Sequence, residues 1–309
     1  MRIAVMGSGA VGGYFGAKLA AAGNQVAFIA RGEHLAAMQQ SGLRVSSPNG
    51  DLVIRQAQFT DTPAQVGRVE LILFCVKSYD TEGAANAIAP MVAERCQILS
   101  LQNGIDNPEK LARVHGSASV LPGVVYVGAQ IAAPGQIRHS NGGKIIFGQM
   151  DGTVGDAANA LVGTLTAAGI PSEASAAILQ VQWSKLLWNA PFCAISCLSR
   201  ANTREIVESE SLSRLALECM AEVRAAARTQ GIELAPSLCD EVMSFSRGLG
   251  DFKPSMLQDL EASKPLEYDA FNGIVARLLE ASGRAAPINR TFFDLLKFFD
   301  KRLHQEAGR

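Results

Sequence analysis

Apolar residues in the first half of the chain come in short blocks separated by polar punctuation. Residues 2–6 form a brief apolar run of the kind a buried strand shows, and residues 13–21 have helical spacing. Residues 25–30 read as a second strand, ended by Arg31 and Gly32, and residues 33–41 as a short helix. Residues 43–59 alternate about Ser47, Pro48, Asn49 and Gly50, which spell a hairpin turn. Residues 69–77 are strongly apolar and end in Lys77; such a run suits a parallel strand covered on both faces. A helix over 80–93, a strand over 97–101, strand-like runs over 119–126 and 144–147 with a turn at Pro134 and Gly135, and an alanine-rich helix over 155–168 complete the alternation. From about residue 174 onward only helical periodicity remains. Its main members are a helix around Trp183, a long amphipathic helix over 211–230, and a last helix over 289–304.

The first strand and helix are joined by Gly7, Ser8, Gly9, Ala10, Val11 and Gly12. Strand, G-x-G-x-x-G turn and helix together form the dinucleotide fingerprint. Gly7 permits the tight turn, Gly9 lets backbone approach a pyrophosphate, and Gly12 lets the helix pack on the strand. Free N–H groups and the dipole at the helix start favour the anion. The pattern therefore predicts an α/β Rossmann-type domain over residues 1–172, followed by an all-α domain over 173–309. A cleft between two such domains is a common place for a small ligand.

Three residues lie where strands of such a sheet end, and ligands bind beyond those ends. Arg31 stands where an NAD-preferring fold places a carboxylate; a guanidinium there suits a 2′-phosphate and points to NADP, a surface loop arginine being the alternative. Lys77 closes the next strand. Asn103, before Gly104, could bond cofactor or substrate, and reads equally well as a turn asparagine.

Composition removes other classes. With 48% hydrophobic and 18% charged residues the chain is globular, and a net charge of −1 offers nothing to nucleic acid or a membrane surface. No apolar run approaches the ~20 residues of a membrane span. Six cysteines and four histidines are dispersed without C-x-x-C pairs, so neither a metal site nor a disulfide framework is expected. The expectation is a cytoplasmic protein with reduced thiols.

The helical half carries Lys185, Asn189 and Cys193 at intervals of four, which share one helix face. A lysine on that face could act as a general acid if burial lowers its pKa, although from composition alone an ordinary exposed lysine is the better reading. Ser255 is placed to cap a helix, and Glu267 to open another.

Taken in order and spacing, Gly7 to Gly12, Arg31, Lys77, Gln102-Asn103-Gly104, the Lys185/Asn189 helix, Ser255 to Asp259 and Glu267 resemble the ketopantoate reductase (2-dehydropantoate 2-reductase) family nearly end to end. The resemblance implies NADPH-dependent reduction of a 2-oxo acid to a 2-hydroxy acid, as in pantothenate biosynthesis. It implies that Lys185 protonates the developing alkoxide, and that Glu267 orders cofactor and substrate. Asn103 and Ala129 would touch the cofactor; Asn103, Asn189, Ser255 and the position of Cys193 would meet substrate. Where the family pattern has asparagine, this chain has Cys193, Phe252 and Thr203. Those departures point to a more apolar 2-oxo acid as the alternative substrate. A sensor that binds NADP(H) without catalysis would need neither Lys185 nor Glu267. The long helices could pack within one chain or between two in a homodimer.

Overall fold

The computed structural model describes residues 1–307, and the chain divides into two compact units, Met1–Ile178 and Leu179–Arg309. The first unit is a ten-stranded sheet with helices. In chain order it contains β1 (Arg2–Met6), α1 (Ala10–Ala21), β2 (Gln25–Ile29), α2 (Gly32–Ser41), β3 (Leu43–Ser46), β4 (Leu52–Ile54), β5 (Gln58–Thr60), β6 (Val69–Phe74) and α3 (Thr81–Ala87). It continues through β7 (Val92–Ser100), α4 (Asn107–His115), β8 (Val120–Ala133), β9 (Gln136–Phe147), α5 (Asp156–Ala167) and β10 (Ser172–Ala174). Six strands run parallel in the order β5-β2-β1-β6-β7-β8, the doubly wound arrangement of dinucleotide-binding sheets. β8 then turns back antiparallel into β9, which carries β3 and β10 in parallel, and β4 closes the edge beside β3.

The alternation of side chains along β1 divides the core. Ile3 and Val5 join Phe15, Leu19, Phe28, Leu71 and Leu73 on one face. Ala4 and Met6 join Ile29, Ile72, Phe74, Ala84 and Leu111 on the other. Both faces are dry, which is why β1, β2 and β6 read as unbroken apolar runs.

Several expected boundaries move. β6 ends at Phe74, so Lys77 lies in the loop beyond the strand. The helix expected over 80–93 stops at Ala87, and residues from Val92 already belong to β7. β8 and β9 are 14 and 12 residues long, far longer than their apolar stretches. The extra length spans Gln130, Arg138, His139, Ser140 and Asn141, polar residues that cross-strand pairing holds extended. The three-residue β10 has too short a pattern to announce itself; it is a strand because β9 offers it an edge.

The second unit is helical: α6 (Ile178–Ser199), α7 (Thr203–Glu208), α8 (Glu210–Thr229), α9 (Ser237–Gly248), α10 (Ser255–Glu261), a π-helical turn (Asp269–Gly273), α11 (Ile274–Ala281) and α12 (Pro287–Ala307). Leu187, Phe192, Met220, Val223, Phe271, Val275 and Leu296 are buried in it. Glu222 of α8 accepts the free backbone N–H groups of Ile288 and Asn289 at the start of α12, both at 2.8 Å, a side-chain substitute for the missing helical acceptors. No helix among the described residues is long and apolar enough to cross a membrane.

Candidate active site

The glycine loop sits between β1 and α1. Gly7 has φ +92°, and a Cβ there would lie 2.7 Å from the backbone nitrogen of Val76. A Cβ at Gly12 would lie 2.3 Å from the Gly7 carbonyl oxygen and 2.8 Å from Cγ1 of Val5, so helix and strand pack at a distance only glycine allows. Gly9 differs: a Cβ there would meet no atom within 4 Å. The protein makes no steric demand for glycine at that point, and the space in front of it is open. Ser8 is buried, with its hydroxyl donating to the Val5 carbonyl at 3.2 Å and its N–H to the Ile29 carbonyl at 2.8 Å. Ala10, Val11 and Gly12 begin α1, so their N–H groups have no intrahelical acceptor. Open space and outward donors are what an approaching pyrophosphate needs.

The parallel strands bring the neighbouring positions to the same edge. Arg31 follows β2, the glycine loop follows β1, Lys77 follows β6 and Asn103 follows β7, and these four strands are adjacent. Arg31 is 72% exposed, with its guanidinium 3.8 Å from the Asp80 carboxylate. Lys77 and Asn103 are half-buried, and the Asn103 carbonyl accepts from the Asn107 amide at 2.7 Å. Gln102, whose function the sequence left unmarked, braces this edge by donating to the Val76 carbonyl at 3.0 Å and to the Thr81 hydroxyl at 2.7 Å. Ala129 lies on β8 opposite His139, which stacks on Tyr14 of α1 at 4.2 Å between ring centroids. The long hairpin thus returns to the first helix. A cavity of about 330 Å³ also lies in this unit, lined by Tyr14, Lys18, Ser47, Asn49 and Ala168. It does not include the glycine loop.

In the helical unit, α6 carries Lys185, Asn189 and Cys193. Asn189 and Cys193 are buried, at 4% and 0% exposure, while Lys185 is half-buried. Loss of hydration lowers the Lys185 ammonium from the ordinary lysine range to about 8; electrostatic interaction with Cys193 and with Glu267 pulls the other way but does not offset it. A lysine in that state is still largely protonated at neutral pH and gives its proton up readily. Glu267, 3% exposed, immediately precedes Tyr268 and the π-helical turn. Fold and electrostatics therefore bring Lys185, Cys193 and Glu267 into one neighbourhood although Glu267 is far along the chain.

Ser255 does not cap α10. Pro254 occupies the cap position and Ser255 is the first helical residue, half-buried, because the fixed φ of proline already sets the entry to the helix. Two of the three positions that depart from the expected asparagines, Thr203 and Phe252, are linked to one another. Thr203 donates its N–H and its hydroxyl to the Phe252 carbonyl, at 3.0 and 2.8 Å. Phe252 packs on Trp188, which stacks on Phe192. Asn202, beside Thr203, is committed to capping α7 through a reciprocal pair with Glu205. No cluster of three or more His, Cys, Asp or Glu among the described residues could hold a metal ion.

A doubly wound sheet with this glycine loop, joined to a helical unit bearing a buried-glutamate and lowered-lysine neighbourhood, defines a Rossmann-type oxidoreductase. Comparison with known proteins gives the narrower class. The family described as ketopantoate reductase PanE/ApbA matches residues 3–152, and its C-terminal counterpart matches residues 177–300. A 2-dehydropantoate 2-reductase of Archaeoglobus fulgidus is 33% identical over 96% of this chain and 97% of its own. Another from Mesorhizobium japonicum is 29% identical over 100% and 99%. The crystal structure of a PanE/ApbA family ketopantoate reductase from Ralstonia eutropha superposes with a TM-score of 0.92 at 32% identity, covering 98% of this chain and all of that one. The chain belongs to the ketopantoate reductase family.

Proposed function

We propose that the protein reduces 2-dehydropantoate, or a 2-oxo acid close to it, to the 2-hydroxy acid, with NADPH as reductant, in the cytoplasm. The observation that carries this reading is Lys185, whose ammonium is lowered to about 8 in the company of Glu267. When bound, the dihydronicotinamide supplies a hydride to the ketone carbon. Everything else falls to the side chains. Gly9 and the first N–H groups of α1 receive the pyrophosphate, and Arg31 receives the 2′-phosphate. Lys77 and Asn103, at the neighbouring strand ends, and Ala129 bound the cofactor. Lys185 donates its proton to the ketone oxygen as negative charge develops there. A cation placed at a forming alkoxide stabilises the transition state more than the neutral ketone. Glu267 holds the ammonium in position and, with Asn189 and Ser255, orients the acid.

A second reading keeps the chemistry and changes the acid. Cys193 supplies no amide, and Phe252 adds an aromatic ring to the Trp188 and Phe192 stack. That surface favours a more apolar side chain on the 2-oxo acid. The test is NADPH oxidation followed with 2-dehydropantoate and with a panel of branched and aromatic 2-oxo acids. Turnover of 2-dehydropantoate well above the others supports the first reading, preference for an aromatic or branched acid supports the second, and no turnover with NADPH still bound rejects both.

A further inference from the structure

His34 lies in the first turn of α2, outside the fingerprint, and both of its ring nitrogens are engaged. The backbone N–H of Gly135, in the tight turn between β8 and β9, points at Nδ1 from 3.1 Å. A backbone N–H can only donate, so Nδ1 carries the lone pair and the ring proton is on Nε2. Nε2 lies 3.0 Å from the carbonyl oxygen of Ser8. The histidine is thus a neutral bridge, accepting from the β8–β9 turn and donating into the glycine loop.

That contact determines which way one peptide faces. No peptide bond among the described residues is cis, so the Ser8 carbonyl and the Gly9 N–H point in opposite directions. The Ser8 N–H is already given to Ile29. With the Ser8 oxygen drawn to His34, the Gly9 N–H is turned away from α2, and no acceptor for it exists among the described residues. A rotation of this peptide would put a carbonyl oxygen where that N–H is, against any anion brought to the loop.

We infer that His34 is a positioning residue for the cofactor: it holds the Ser8–Gly9 peptide so that the Gly9 N–H is presented to the pyrophosphate. The inference rests on the reading that the glycine loop binds a nicotinamide dinucleotide, and the experiment separates the two. Dissociation constants for NADPH and NADH are measured by titration calorimetry on the wild-type protein and on His34→Ala, His34→Gln and His34→Asn. Glutamine can place an N–H donor near the position of Nε2, whereas asparagine reaches only the position of Nδ1. His34→Ala and His34→Asn should weaken NADPH and NADH by the same factor, roughly tenfold, the scale of one lost hydrogen bond. His34→Gln should stay within about threefold of wild type on the same scale. Equal weakening is the mark of a contact to the shared pyrophosphate; a change confined to NADPH would locate the effect at the 2′-phosphate and overturn the inference. Unchanged affinity in His34→Ala overturns it too, as does an asparagine variant that binds as wild type while the glutamine variant does not. A wild-type protein that binds neither dinucleotide overturns the functional reading as well. If the variants do not fold, nitrogen NMR of the wild-type imidazole decides: the proton belongs on Nε2, and a proton on Nδ1 rejects the bridge.

Discussion

The side-chain amide of Asn272 donates to the backbone carbonyl of Ala190 at 3.1 Å, joining the turn that follows Glu267 to the helix that carries Lys185. Asn272 is fully buried and also donates to Asn289 at 3.0 Å, which in turn donates to Glu222 at 2.8 Å. The π-helical turn over Asp269–Gly273 contains Asn272 within it. Such turns insert a residue into the helical repeat and change the direction of the side chains that follow. Replacing Asn272 by alanine removes a donor from two buried acceptors, and the expected loss of stability is about 1–3 kcal/mol. Urea unfolding should show it as a lower midpoint at unchanged slope; an unchanged midpoint would mean the bond to Ala190 carries no net weight.

On the proposed function Lys185 is the proton donor and gives the reaction its pH dependence. A proton donor works only while protonated, so turnover should be full well below its pKa and fall as pH rises through about 8. Lys185→Ala should lose on the order of 10²–10⁴ in kcat, the usual weight of general acid catalysis, with NADPH affinity little altered. Lys185→Arg stays charged across the whole range, so whatever rate it retains should show no descending limb. A limb that persists in the arginine variant belongs to another group.

Two alanine substitutions in the glycine loop should part company. Gly12→Ala drives a methyl to 2.3 Å from the Gly7 carbonyl oxygen. The strain should destabilise the fold by about 1–3 kcal/mol, read as a lowered Tm. Gly9→Ala meets no protein atom within 4 Å. Its Tm should match wild type while the affinity for both NADPH and NADH falls, because the methyl fills the space left for the pyrophosphate. Full affinity in Gly9→Ala would move the pyrophosphate elsewhere.

Arg31 is exposed and only loosely paired with Asp80 at 3.8 Å, which leaves the guanidinium available to a phosphate. Arg31→Asp should weaken NADPH roughly tenfold, the scale of one solvent-exposed charge-assisted contact, and improve NADH relative to it. The ratio of kcat/KM for the two cofactors is the measurement. An unchanged ratio assigns the phosphate to a different residue.

The glycine loop and the division into an α/β part and a helical part could be read from the chain because both depend on short-range rules. Glycine spacing meets the steric needs of one turn, and the period of apolar residues follows from strand or helix geometry within a few residues. The gathering of Arg31, Lys77 and Asn103 at one edge was legible for a related reason: parallel strands all present their carboxyl ends on the same side. The long polar part of the β8–β9 hairpin, the strand over Ser172–Ala174 and the cap at Pro254 were not legible, since each depends on a partner or a neighbour that competes with the local pattern. The bridge through His34 joins α2 to a turn remote in sequence. Lys185 stands furthest from the sequence. Its residue type and spacing allowed an acid but favoured a plain exposed lysine. What the fold adds is desolvation, which lowers the Lys185 ammonium even with Glu267 nearby, because the proton affinity of a side chain is set by all the atoms that replace its water, and only the folded chain assembles them.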